Sequence, residues 1–203
     1  MKRIAILMSL FMITGLATPS FAATAEIGKA APGFKLTGAD GKEHSLSQYK
    51  GKTVVLEWFN NECPYVKKHY DVGNMQKLQT EAAAKGTVWL TINSSAPGKQ
   101  GHLTTDAAAK LRTERKMANT SLLLDPKGTV GSLYGAKTTP HMYVIDPKGV
   151  LAYAGAIDSD SSADPKTIAG ANNYVSEALA AVAEGKAVKT TTTKPYGCSV
   201  KYE

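Results

Sequence analysis

The sequence predicts an α/β protein built on a central mixed sheet with helices on both faces. Three observations carry this expectation. Strand-like runs rich in β-branched and aromatic residues alternate with segments of helical periodicity. Residues 53–59 (TVVLEWF) are apolar enough for a central strand covered on both sides. Two hydrophobic runs, in SLLLDPKG and MYVIDPKGVLAYAG, end at the same Asp-Pro-Lys-Gly turn, and the second opens straight into another strand, as a hairpin does.

In chain order, APGFKLTGADGKEHSLSQYKGK (31–52) carries a short strand, an Asp40-Gly41 turn and the Gly51-Lys52 that precedes the buried strand. After Cys63, Pro64 suits a first helical position, where its missing N–H costs nothing. Val66, Tyr70, Leu78 and Ala82 then recur near helical spacing as far as Gly86, with Gly73 and Asn74 predicting a kink or a short break. TVWLTIN (87–93) reads as a strand and SSAPGKQGH as a loop. TTDAAAKLRTERKM reads as a helix capped by Thr104 or Thr105, with Asp106 in its first turn. In NNYVSEALAAVAEGK, Val175, Ala178, Leu179 and Val182 share one helical face and Gly185 ends it. The tail AVKTTTTKPYGCSVKYE reads as an extended strap whose four threonines suggest a solvated linker. The order is therefore β, β, α, β, α, β, β, β, α.

The first 22 residues have secretory-leader grammar: Lys2 and Arg3, an apolar stretch, then small residues up to Ala22. The expected organisation is a signal peptide (1–22), one α/β domain (23–185) and a C-terminal tail (186–203) carrying Cys198, in a periplasmic or secreted protein without a membrane span after cleavage. Loss of Lys2 and Arg3 leaves 22 of the 24 basic residues against 17 acidic ones, with only Arg112 and Arg115 as arginines. A scattered lysine surface of this kind argues against nucleic-acid binding.

Cys63 and Cys198 are the only cysteines, and an oxidising compartment permits either a structural bridge or a redox pair. A bridge would close a loop of about 135 residues, worth roughly 4 to 5 kcal/mol in the chain-entropy model. Cys63 at a helix start would meet unpaired N–H groups and the positive end of the helix dipole, which favours its thiolate. Lys67 adds to this and Glu62 opposes it, which predicts a thiol more acidic than a free one. Asn60, Asn61 and Glu62 read as helix-capping residues, and Trp58 and Tyr70 as core. Pro140, preceded by Thr139, opens a strand; a trans peptide is the commoner form there and cis the alternative. Of the histidines His44, His69, His102 and His141, three read as surface residues, while His141, next to Pro140, could approach Cys63.

TVVLEWFNNECPYV followed by YGAKTTPHMYVIDPKGVLAYAG resembles the thioredoxin superfamily, over residues 26 to about 185. Within it, IGKAAPGFKLTGADGKEHSLSQYKGKTVVLEWF most resembles the redoxin branch, the peroxiredoxin-like alkyl hydroperoxide reductase and thiol-specific antioxidant group. The CPYV motif and terminal GCSVKY look like a subgroup with a single cysteine there. The resemblance implies a thioredoxin-like fold and thiol–disulfide exchange with protein or small-molecule thiols and disulfides, and no metal or other cofactor. Cys63 would be the nucleophile, Pro140 a cis-proline facing it, and the Thr139 backbone a rest for an extended partner. Val66 stands where a second cysteine belongs, which transfers the resolving role to Cys198. It also stands where a peroxidatic cysteine would be, and the Pro and Thr/Ser expected upstream of one are missing. The alternatives are a peroxidase, or a non-catalytic protein that uses Cys63 and Cys198, with His141, to bind copper, or that binds a protein partner, or that joins the two cysteines permanently.

Overall fold

The computed structural model describes residues 24–203; the leader expected at 1–22 lies outside them. The described elements follow as β1 (Lys35–Gly38), β2 (Glu43–Ser45), β3 (Val54–Trp58), α1 (Pro64–Tyr70), α2 (Asn74–Ala84), β4 (Val88–Asn93), α3 (Thr105–Glu114), β5 (Ser121–Leu124), α4 (Thr129–Tyr134), β6 (Thr138–Thr139), β7 (His141–Ile145), β8 (Leu151–Gly155), α5 (Tyr174–Ala183) and β9 (Cys198–Ser199). Seven strands form one sheet in the order β2-β1-β5-β4-β3-β7-β8, and β6 with β9 forms a separate two-stranded sheet. Pairing is parallel for β3–β4 and β4–β5 and antiparallel elsewhere, so the sheet is mixed as expected.

The period-2 alternation of β3 divides the core. Val55 faces the layer built by α1, α2, α3 and α5, through Val66, Leu78, Leu111 and Val175. Val54, Leu56 and Trp58 face the opposite layer, closed by α4 through Val130 and Tyr134. Every residue of β3 is buried, which places it as the covered central strand the apolar run predicts.

The helix after Cys63 breaks where its glycine sits. Gly73 adopts φ +77°, a left-handed conformation that glycine tolerates best, and α2 starts on the next residue. Thr104 is the cap of α3, its side chain accepting from the Ala107 N–H at 3.3 Å. Four elements went unread from sequence: the three-residue strand β2, α4, a six-residue helix between left-handed Gly128 and Gly135, and the two-residue strands β6 and β9. All four are too short for a hydrophobic period to register.

The apolar pattern of β3 conceals Glu57, which is fully buried on the α1/α2 side. Four donors converge on its carboxyl group: Tyr70 Oη (2.8 Å), Trp89 Nε1 (2.8 Å), Thr91 Oγ1 (3.0 Å) and Gln79 Nε2 (3.3 Å). Burial raises the carboxyl above its ordinary value, and the four hydrogen bonds oppose that rise. Glu57 thereby ties β3 to β4, α1 and α2. Glu57→Leu would strand these donors, and a loss of about 3 kcal/mol or more in denaturant unfolding is expected. A loss below about 1 kcal/mol would mean that the donors find other acceptors.

Candidate active site

Cys63 is the N-cap of α1, with extended backbone (φ −70°, ψ 124°) and Pro64 following at the first helical position. The turn from β3 that delivers it is set by Asn60, whose side chain accepts from the Glu62 N–H (2.9 Å) and donates to the Gln100 carbonyl (3.1 Å). The Cys63 N–H donates to the Asn60 carbonyl at 3.1 Å. Asn60, Asn61 and Glu62 therefore do not cap α1 as expected: Asn60 builds the turn, and Asn61 Oδ1 accepts from Arg115 Nε at 3.1 Å. Tyr70 is core as read, although its hydroxyl serves Glu57.

The Cys63 sulfur is fully buried and donates to the Thr139 carbonyl at 3.0 Å. The Thr139–Pro140 peptide is cis. Pro140 ends β6, whose Thr138 and Thr139 pair antiparallel with Ser199 and Cys198 of β9. Cys63, Thr139, Pro140 and Cys198 are thus brought to one place from the start of a helix, a turn and the far end of the tail. Both cysteines are free thiols.

The two sulfurs differ in acidity because of this contact. Burial pushes the Cys63 thiol up, but hydrogen bonds from the Cys198 thiol, the Thr139 side chain and the backbone N–H groups of Cys198 and Val66 outweigh it. Its value ends below that of an ordinary cysteine. Cys198 is pushed up to about 11, by desolvation first and then by its hydrogen bond and charge interaction with Cys63. The buried Thr139 hydroxyl has no other hydrogen-bond partner among the described residues.

Residues 27–154 match the model of the AhpC/TSA family, more than half of the chain. The chain belongs to the AhpC/TSA family. It is 27% identical over 124 residues to the thiol-disulfide oxidoreductase ResA of Bacillus thuringiensis subsp. konkukian, covering 61% of this chain and 66% of that protein. It is 30% identical over 129 residues to the thioredoxin-like protein YneN of Bacillus subtilis, covering 61% and 68%. The chain thus spans about two thirds of the length of these relatives. An uncharacterised conserved protein from Geobacillus kaustophilus has a similar structure (TM-score 0.74, 26% identity, 93% of this chain and 98% of that one). Thioredoxin-fold proteins are among the structural neighbours, and the fold is thioredoxin-like.

In this AhpC/TSA chain Val66 occupies the turn of α1 that follows Cys63 and is buried in the core. The histidines depart from expectation: none of the four is exposed, and His69 and His141 are buried. The Nδ1 of His141 accepts from the Lys137 N–H (3.3 Å) and lies 3.2 Å from the Tyr143 hydroxyl, contacts that hold the ring within its own corner. Among the described residues no group of three His, Cys, Asp or Glu side chains is arranged to hold a metal ion, and no helix is long and apolar enough to cross a membrane.

Tyr196 and Thr193 were missed from sequence. The Tyr196 hydroxyl donates to Asp158 Oδ1 at 2.5 Å and lies 3.2 Å from His69 Nε2. His69 Nδ1 accepts from Asn74 at 2.9 Å, which leaves Nε2–H as the donor to Tyr196. Thr193 Oγ1 accepts from the Ala156 N–H at 2.8 Å, so the threonine run is in part docked. An aromatic residue two positions before the tail cysteine is the one local signal that pointed there.

Two outcomes follow from these electrostatics. Thr139→Val removes a donor to the thiolate, so the pH midpoint of Cys63 alkylation should move up; an unchanged midpoint would exclude the hydroxyl. Burial, aided by the charges of Lys68 and Lys137, lowers His69 to about 3 and His141 to about 4. The unfolded chain then binds protons that the folded chain refuses, so this stabilisation is complete above about pH 6.5 and is lost as pH falls towards 4. The urea midpoint should fall across that window, and less so in His141→Asn; an equal fall in that variant would assign the effect elsewhere.

Proposed function

We propose that the chain is an extracytoplasmic thiol–disulfide oxidoreductase, with residues 23–185 as its redox domain and 186–203 as a tail that completes the site. The observation that carries this reading is the register of β9, which lays the Cys198 thiol against Cys63 across from Thr139. The ResA relative supports the reaction class, and the leader-like residues 1–22 support export.

In the proposed reaction the Cys63 thiolate attacks one sulfur of a partner disulfide, with Thr139 and Pro140 supporting the partner's extended backbone. A Cys63–partner disulfide forms and one partner thiolate leaves. Cys198 then attacks Cys63, forming the Cys63–Cys198 disulfide and expelling the second partner thiolate. Two electrons pass from the two cysteines to the partner, and the two cysteine protons end on the partner's thiols.

The order of the steps follows from the acidities. Before attack, the negative charge on Cys63 is one of the influences that hold Cys198 protonated. Once Cys63 is in a mixed disulfide that charge is gone, and Cys198 ionises more readily when a resolving thiolate is needed.

Cys198→Ser should accumulate a mixed disulfide on Cys63 when offered a disulfide substrate, detected by mass spectrometry and absent in Cys63→Ala. Failure to trap any protein or small thiol in Cys198→Ser would overturn the reading. The AhpC/TSA family also includes peroxiredoxins, so peroxide consumption is the second assay: consumption abolished by Cys63→Ala would favour a peroxidase instead.

A further inference from the structure

Cys63 exposes no surface, yet what covers it is a strap laid on the outside of the molecule. No residue from 179 to 203 is fully buried. Among the described residues strand β6 pairs with nothing but β9 and stands apart from the main sheet. Its open edge, beside a reactive thiol, is therefore filled by the chain's own residues 198–199. An exposed strand edge is a template for an added extended peptide.

The fit of the resident strand is specific. Tyr196 sits among α1 and the turn after β8: its ring lies 6.0 Å from that of Tyr65 and 5.4 Å from Lys68 Nζ, and its hydroxyl bridges His69 and Asp158. Gly197 has φ +130°, and a Cβ there would lie 2.1 Å from the Thr139 oxygen, so no side chain fits. Beyond Cys198, the Val200 N–H donates to the Lys137 carbonyl at 3.1 Å and the Tyr202 hydroxyl to the Ala136 carbonyl at 2.8 Å. The Ala96 N–H donates to the Lys201 carbonyl at 2.8 Å, and Tyr196, Cys198 and Val200 are half-buried against the two core layers, so the strand is seated on the core without any residue of it being fully enclosed.

We propose that residues 195–201 are a displaceable strand seated in a peptide groove. The partner that replaces them is an extended, cysteine-bearing polypeptide with an aromatic residue two positions, and a glycine one position, before its cysteine. This rests on the exchange reading for its biological purpose but not for its geometry. Return of the tail would then bring Cys198 to Cys63 and reoccupy the partner's strand in one movement, so that resolution and release coincide.

The test measures access, not exchange. In the Cys198→Ser background, leaving one thiol, Gly197→Ala should unseat the tail and speed alkylation of Cys63 by about tenfold or more. Tyr196→Phe, which removes only a hydroxyl, should act in the same direction to a smaller extent, so the test does not depend on one variant folding. A fluorescent peptide copying residues 194–202, with serine for Cys198, should bind the unseated full-length variant saturably and slow its alkylation again. The same peptide with alanine for Gly197 should not. Alkylation rates equal to that of Cys198→Ser alone in both variants would overturn the proposal. Faster alkylation that the glycine peptide fails to reverse would overturn the peptide groove. Because no disulfide is exchanged, these results stand whether or not a mixed disulfide can be trapped.

Discussion

The reactive end of the molecule is organised around one oxygen, the carbonyl of Thr139. It accepts the Cys63 thiol proton, it precedes the cis bond to Pro140, and its closeness to the backbone of residue 197 admits only glycine there. Three distant segments, the start of α1, the turn before β7 and the C-terminal tail, are thereby held in one register. A substitution that moved this carbonyl would disturb thiol, turn and tail together, and additivity among these positions should fail accordingly.

The same convergence bears on the acidity of Cys63. Helix α1 has only seven residues, and the leading influences that lower the thiol are individual hydrogen-bond donors from Cys198, Thr139 and Val66. Those donors arrive only when β6, β9 and α1 are assembled. The acidity is therefore a property of the docked tail as much as of Cys63, and release of the tail would remove part of what stabilises the thiolate.

What was legible in the sequence was whatever has a local period or a stereochemical marker. The strands with alternating or wholly apolar runs, the Pro64 helix start, the break at Gly73 and the hairpin at Asp146–Gly149 all carry such signals. So did the pairing of Cys63 with the Thr139–Pro140 turn, through its resemblance to a known pattern. Buried polar groups were not legible, because their cost is met by partners far along the chain. Glu57 looks like an interruption of β3 until Tyr70, Gln79, Trp89 and Thr91 are seen around it. His69 reads as a surface residue until Asn74 and Tyr196 fill both ring nitrogens, and Thr193 reads as linker until Ala156 donates to it.

Val66 gives the arrangement its logic. A thiol one turn from Cys63 could resolve a mixed disulfide without any segment moving; an apolar core residue there cannot. The proposed resolution by Cys198 would instead require the tail to be in place, and three of the residues that contact Tyr196, namely Tyr65, Lys68 and His69, belong to the helix that Cys63 begins. In the proposed exchange, one short helix therefore carries the attacking thiol at its N-cap and, along its length, the contacts that seat the tail bearing the resolving one. Distortion of α1 when Cys63 is engaged would be felt directly at Tyr196, and seating of Tyr196 would be felt at Cys63. That mechanical coupling is what the proposed resolution by a thiol 135 positions away would require, since its effective concentration at Cys63 depends on how firmly the intervening strap is docked.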